Sequence, residues 1–500
     1  CHRMRRVFPA LRPWILPLVV GLIVAGFQLW LVGAAGNATP LNDEWDREGG
    51  WLYPRWVTGE LPAADLFKPH NEHRILWTYL LDLGLFTANG QWDPRMQLLV
   101  MVLLRALIAV GLARWLASEP GQGSRWPIAL LVAWLFLPHL AWQNVLWGFQ
   151  TQVYFSLGLS LLALHLFVRS PLTPPRWLGG LAFGVAAQWG MSAGAFLPVA
   201  LAALLVLDFA KERKFTREAC ARLAAIGLLG LLSLTLRTTV PELASQRAGS
   251  SGTFFHAFGL GLSWPYPELP WLGVVACLPL AVALGRRLRG RPRLAPEEDF
   301  ALALGCFGFA AALAQAFFRG GAAEFSQRIP SRYAEFMVLL ALANAWCVLT
   351  WLRHAVPGRR LIAQTAGSAW FALLAIGWLG TSTEVWRKAL HPRIEYRDVP
   401  GQLVRQYQLT GHAEIFTTAG RFFQPYPEVA EIGRVLSDPR MHGHLPPTFQ
   451  PGQPPGPLSR AATAVMSRAA TLALILFALA GLLALWEFRN PSRAAAKPAP

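Results

Sequence analysis

The chain has 500 residues, 54% of them hydrophobic and only 15% charged, with a mean hydropathy of +0.35. A soluble domain of ordinary composition carries about 25% charged residues. Apolar runs recur from Ile15 to Trp486, which excludes a soluble protein with a single signal peptide or anchor. The net charge of +17 does not mark a nucleic-acid partner: the arginines sit at the ends of apolar runs and in alternate loops, the positive-inside pattern, and form no basic groove.

Taken in order, the chain has a basic start (Arg3, Arg5, Arg6, Arg12), expected on the inner side, with Met4 rather than Cys1 as the expected first residue. The first span, over 12–33, then runs outward. The stretch 34–94 is acidic early (Asp43, Glu44, Asp46, Glu48) and is expected outside, with 74–89 as a helix lying in the interface. Further spans are expected over 96–117, 126–141, 150–168, 177–191, 194–210, 221–240, 271–285, 300–318, 333–353, 361–381 and 466–487. That makes twelve spans with both termini in the cytoplasm of a bacterial cell, and a multi-pass protein of the inner membrane. The basic loops agree independently: Arg169/Arg176, Lys211/Arg213/Lys214/Arg217, Arg286 to Arg293 and Arg353/Arg359/Arg360 all fall inside. Twenty-two Trp suit a protein with many membrane interfaces.

The stretch 382–465 is too polar to span and is expected outside. It reads as a small α/β segment: a helix over 396–412, an extended piece Ile415–Thr418, a helix over 427–437, and a stiff Pro-rich tether from Pro446 to Pro457. The organisation is thus an all-α polytopic membrane protein. It comprises a transmembrane module 1–381, an external segment 382–465, a last span 466–487 and a cytoplasmic tail 488–500. No internal repeat is visible. Cys220, Cys277, Cys306 and Cys347 lie in or beside expected helices, which argues against a disulfide framework.

Polar side chains near a membrane are costly to keep, so their clusters are where function is sought. Four fall on the expected outer side: Asn42 to Asp46; Lys68 to Arg74; Trp142 to Gln150; and Arg319 with Gln327 to Tyr333. A carboxylate can accept a proton from an attacking hydroxyl, and an arginine can hold a phosphate leaving group with paired donors. Together they suit group transfer from a lipid phosphate. The simpler reading gives Asp43 or Asp46 a capping role and lets the arginines reach lipid phosphates. His70 and His73 would share a helix face and, with Asp43 or Glu44, are the candidates for a divalent metal; hydrogen bonding at a helix entry and ion pairing with Arg74 are the structural alternatives. Gln188 and Ser192 read as interhelical contacts. Asn37-Ala38-Thr39 fits a glycosylation triplet that also arises by chance, and His391, His412, His442 and His444 carry no assigned role.

The first external stretch resembles the GT-C class of integral-membrane glycosyltransferases, which includes aminoarabinose transferases and protein O-mannosyltransferases. The residues that carry the likeness are Asp43-Glu44 after the first span, Trp56-Val57-Thr58-Gly59-Glu60, Lys68-Pro69, and Ile75-Leu76-Trp77-Thr78-Tyr79, with Arg114 ending the next span. They cover about 60 residues, and His70-Asn71-Glu72-His73-Arg74 departs from the class, which continues Lys-Pro with proline and apolar residues. The resemblance implies inverting transfer of a sugar from a polyprenyl-phosphate donor to a lipid, glycan or protein acceptor. It makes Asp43 the general base and gives Glu44 the acceptor or a metal. Lys68, His70, Glu72, His73, Arg74, Arg328, Arg332 and Tyr333 become substrate-binding candidates, with membrane lipids the other partners. A lipid-linked glycan ligase or polymerase would need no carboxylate base after the first span. A lipid or sugar transporter would place its polar residues at mid-membrane depth.

Overall fold

The computed structural model describes residues 4–117, 125–212, 216–420 and 422–489, without the side chains of 4–11 and 211–212. The expected start, the side chains of the first basic cluster before Arg12, those of Lys211, Arg213 and Lys214, and the tail beyond 489 lie outside the described residues.

The chain is all-helical, with no strand among the described residues. The first helix, α1 (Met4–Ala35), leads into a loop that holds a π-helix (Glu44–Leu52), the short α2 (Tyr53–Val57) and α3 (Leu76–Asn89). Gly90, at φ +72°, takes the left-handed position that closes α3. Asp93 then opens α4 (Pro94–Leu116): its side chain accepts from the Arg95 backbone N–H at 3.1 Å, and proline sits at the first helical position. The expected span 126–141 is a broken helix. It is α5 (Trp126–Leu135), a 3-10 turn at Pro138–Ala141, α6 (Trp142–Leu146) and a second 3-10 turn at Gly148–Gln150, feeding α7 (Thr151–Val168).

There follow α8 (Pro174–Gln188), α9 (Phe196–Glu212), α10 (Arg217–Thr235), α11 (Ser251–Ser263), α12 (Leu272–Leu288), α13 (Glu298–Arg319), α14 (Ala334–His354) and α15 (Arg360–Val385). The polar segment contributes α16 (His391–Glu395), α17 (Val399–Thr410), α18 (Glu414–Ala419) and α19 (Val429–Ser437). The chain closes with α20 (Pro457–Ser467) and α21 (Ala469–Arg489). Ten helical stretches among the described residues are long and apolar enough to cross a membrane. Of the twelve expected spans, α8 and α12 are shorter, at 15 and 17 residues. The expected extended piece Ile415–Thr418 is instead helical, within α18. One turn of helix turns Phe416 inward to full burial, while the threonines beside it stay exposed.

Two apolar cores divide the molecule. The larger runs through the spans, from Leu16 in α1 to Ala469 in α21. Here α1 and α21 meet at small residues: a Cβ on Gly26 would lie 2.6 Å from the Phe477 ring, and one on Gly33 2.2 Å from Ala469. The second core joins the two polar regions that the sequence separates. Trp45, Tyr53, Tyr79, Phe86 and Trp92 of the first loop pack with Val404, Phe416, Ile432, Val435 and Phe449 of the segment after α15. Phe449 is buried 6.0 Å from Trp45, so the Pro-rich tether is pinned to the first loop along part of its length.

A buried ion pair joins α4 and α14 within the larger core. Arg105 of α4, 1% exposed, donates Nε–H to Glu335 of α14 at 2.9 Å, and the Tyr154 hydroxyl of α7 donates to the same oxygen at 2.9 Å. Arg105 also reaches the Leu137 carbonyl at 3.4 Å, one of the backbone groups freed where α5 breaks. Removing one partner of such a pair strands a buried charge and costs about 3–5 kcal/mol, whereas apolar replacement of both is far milder. Glu335→Ala is therefore expected to lower the melting temperature in detergent sharply, and Arg105→Met with Glu335→Leu to restore most of it. A double variant as unstable as Glu335→Ala would contradict this.

Candidate functional site

The first loop is built around a turn that few residues tolerate. Asn42 has φ +48°, in the left-handed region where Asn is among the least costly side chains. Its N–H donates to the Pro425 carbonyl at 2.6 Å, tying the loop to the polar segment. Asp43 follows, and then the π-helix, a form found mainly as single turns at functional sites. This winding sends both Glu44 and Glu48 into the protein, at 1% and 0% exposure.

Glu44 accepts from the Leu41 N–H at 2.6 Å and the Phe149 N–H at 3.1 Å. Glu48 accepts from the Tyr53 hydroxyl at 3.1 Å, the Trp92 indole at 2.9 Å and the Gln97 amide at 2.9 Å. The same Gln97 NH2 donates to Asp82 of α3 at 2.6 Å. The second oxygen of Asp82 and the amide oxygen of Gln97 are buried without a partner among the described residues. Three carboxyls are thus held together, with no cation paired to them among the described residues. Burial, reinforced by Glu48, pushes Glu44 well above the ordinary carboxylate range, and burial with Glu48 does the same to Asp82. Burial lifts Glu48 to about 7 against the lowering effect of its three hydrogen bonds.

The sequence-derived candidates divide into groups. Asp43 keeps a 34% exposed side chain with His70 Nε2 at 3.5 Å, so these two are brought together. His70 and His73 do not lie on a helix as expected: they pair backbone to backbone across a tight turn, at 2.7 and 2.9 Å, with Asn71 at φ +49°. The His73 ring meets the Ser192 hydroxyl at 2.7 Å, and desolvation followed by His70 holds its pKa down to about 4. No three His, Cys, Asp or Glu side chains among the described residues converge to hold a metal ion. Glu72 pairs with Arg319, which joins the first loop to the end of α13. Arg74 donates to the Phe67 and Leu236 carbonyls and lies 5.5 Å from the Trp189 ring. Lys68, 62% exposed, pairs with Asp65 at 2.6 Å. The remaining candidates lie in the loop before α14, where each arginine already meets a carboxylate: Arg328 that of Glu384 at 2.7 Å, and Arg332, stacked near Tyr333, that of Glu324.

A cavity of about 240 Å³ opens between the first loop, the α5–α7 break and the polar segment. Asn42 and Glu44 line one wall, Trp142 and Gln143 a second, and Arg393, Tyr396, Arg397, Phe422 and Gln424 a third. The Gln143 amide oxygen accepts from the Ser331 hydroxyl at 2.9 Å and the Arg332 N–H at 3.2 Å, which ties this wall to the loop before α14. From the sequence Glu48 was only one of the loop's acidic residues, and Asp82, Gln97 and Arg393 were not singled out. Asp82 had a signal, a lone acid in an otherwise apolar helix; Gln97 and Arg393 had none without knowledge of their neighbours. Comparison with protein families, curated proteins and solved structures finds no match for this chain.

The carboxyl cluster sets a pH dependence. An acid whose folded pKa lies above its unfolded value stabilises most below the unfolded value, and that contribution is lost as pH rises through the folded value. For Glu48 the window runs from 4.5 to about 7 and carries on the order of 3 kcal/mol at most. The melting temperature is expected to fall across that window and Glu48→Gln to flatten the fall; an unchanged slope would show that Glu48 does not hold the proton.

Proposed function

We propose that this protein is an integral-membrane glycosyltransferase of the GT-C kind, moving a sugar from a polyprenyl-phosphate donor to an acceptor on the outer face of a bacterial inner membrane. In this reading α8 and α12 also cross the bilayer. The spans then number twelve, both termini are cytoplasmic, and the first loop and polar segment lie outside. The observation that carries the proposal is the setting of the acidic pair. Glu44 lines a cavity whose lining also includes Arg393 and Arg397, and Asp43, its neighbour in the chain but outside that lining, stays accessible beside His70.

The reaction divides over these groups. Asp43 takes the proton of an acceptor hydroxyl, and the oxygen attacks the anomeric carbon of the donor. The bond from that carbon to the phosphate oxygen breaks with its electron pair, so the lipid phosphate leaves as an anion and the configuration inverts. A cation facing the phosphate stabilises that developing charge. Glu44, fixed by two backbone N–H groups and with its pKa raised by burial, orients the acceptor. The polar segment supplies the third wall and so selects what may enter.

Reconstitution in liposomes with radiolabelled polyprenyl-phosphate sugars tests the reading. The wild type is expected to consume a donor of this class, and Asp43→Asn to transfer it about 10²–10⁴-fold more slowly. Consumption of none of these donors, or transfer at the wild-type rate by Asp43→Asn, would remove the mechanism. Full activity of the variant on lipid-diphosphate donors would point to a ligase or polymerase.

A further inference from the structure

Most arginines of the first loop and the α13–α14 turn are already engaged. Arg319, Arg328 and Arg332 each meet a carboxylate, Arg74 is spent on backbone carbonyls, and Arg47 stacks 3.9 Å from the Trp51 ring and donates to the Tyr79 hydroxyl. Arg393 differs. Its guanidinium lies between two aromatic faces, 3.9 Å from the Trp142 ring and 4.2 Å from the Phe422 ring. Its only hydrogen bond among the described residues runs from Nη1 to the Ala389 carbonyl at 3.0 Å, four residues back and before α16 begins. No carboxylate approaches it there, yet it is half-buried on the wall of the cavity.

Stacking fixes the plane of a guanidinium without using its N–H groups, and so leaves the edge of the fork for a planar or tetrahedral anion. A cation withdrawn from water with no counter-charge is a deficit that an anionic ligand fills. The lining also includes Gln143 and Arg397; Arg397 donates to the Gly33 carbonyl at 3.1 Å and already has the Asp398 carboxylate at 3.4 Å. The remaining lining includes Leu98, Leu146 and Phe423, which suits an amphiphile better than a free ion. The two aromatic faces come from distant parts of the chain: Trp142 begins the short helix in the broken span, and Phe422 belongs to the polar segment. The shelf therefore exists only when the polar segment is seated on the membrane helices.

We propose that Arg393, clamped between Trp142 and Phe422, is the cation that binds the phosphate monoester ligand of this protein, and that the polar segment builds this site by supplying Arg393 and Phe422. The inference deepens the transferase reading and rests on it for its catalytic meaning, but the binding itself requires no transfer. The ligand chemistry is that of a phosphate monoester; an apolar chain distinguishes a lipid headgroup from a soluble phosphate.

The full-length protein in detergent is titrated with farnesyl phosphate, inorganic phosphate and farnesol, and binding is read by native mass spectrometry. Farnesyl phosphate is expected to bind, and farnesol to bind at least tenfold more weakly. Arg393→Gln is expected to weaken farnesyl phosphate binding at least tenfold, the loss typical of one charge-assisted contact. Arg393→Lys, which keeps the charge and loses the stacking plane, should recover part of it. Arg440→Gln, a surface change on the same segment, controls for net charge, and a wild-type melting temperature for Arg393→Lys keeps the comparison free of misfolding. Inorganic phosphate binding as tightly as farnesyl phosphate supports the anion site and assigns it to a soluble ligand. Wild-type affinity in Arg393→Gln, or loss of affinity in Arg328→Gln or Arg332→Gln instead, overturns the proposal. Arg393-dependent binding without sugar transfer by the wild type would uphold the site and refute the transferase reading.

Discussion

The structure around the first loop depends on the carboxylate of Glu48. It gathers three donors from three places: Tyr53 at the end of the π-helix, Trp92 at the entry to α4, and Gln97 one turn into α4. Gln97 extends the set to Asp82, so the loop, α3 and the first long helix after it are tied by one buried polar knot. A fully buried acid is tolerable only if its hydrogen bonds are met, and here they are met with the loop in its π-helical winding. That winding turns Glu44 toward the cavity wall while leaving Asp43 accessible. The geometry of the candidate site is thus a consequence of a group that never touches it.

Around the knot lies an apolar core shared between two regions more than three hundred residues apart. Trp45 packs against Trp92 and Phe449, and Phe416 and Ile432 close the far side. Burial of aromatic rings on this scale is a strong driving force for association, so the polar segment is a fixed part of the body that carries the first loop. The cavity follows from it. Two of its walls come from the membrane helices and the first loop, and the third exists only because the polar segment docks there.

The helices were legible because apolar runs of span length have few other uses, and Asp93-Pro94 and Gly90 mark their ends by chemistry that operates within one turn. Pro138 ended α5 early for the same local reason. Asp43 and Glu44 were legible as an acidic pair, but not the fact that one faces out and the other in: that depends on a π-helix, which leaves no distinct hydrophobic period in nine residues. Ile415–Thr418 was expected to be extended, and packing of Phe416 against Tyr407 favoured a helical turn instead. The shared core and Arg393 were not legible at all. Nothing near Arg393 in sequence says that Trp142 and Phe422 will close on it, and arginines with carboxylate partners look no different in a sequence from those without.

The central proposal is that the first loop and the polar segment, which share one core, lie on a single face of the membrane, opposite the basic loops. Cysteines placed one at a time at exposed Glu60, Thr418 and Gly358, in a background without the native cysteines, test it directly in intact spheroplasts with a membrane-impermeant maleimide. The account predicts that positions 60 and 418 react from outside, while position 358 reacts only after the membrane is broken. Reaction of 60 and 418 from opposite sides, or of 358 from outside, would contradict it.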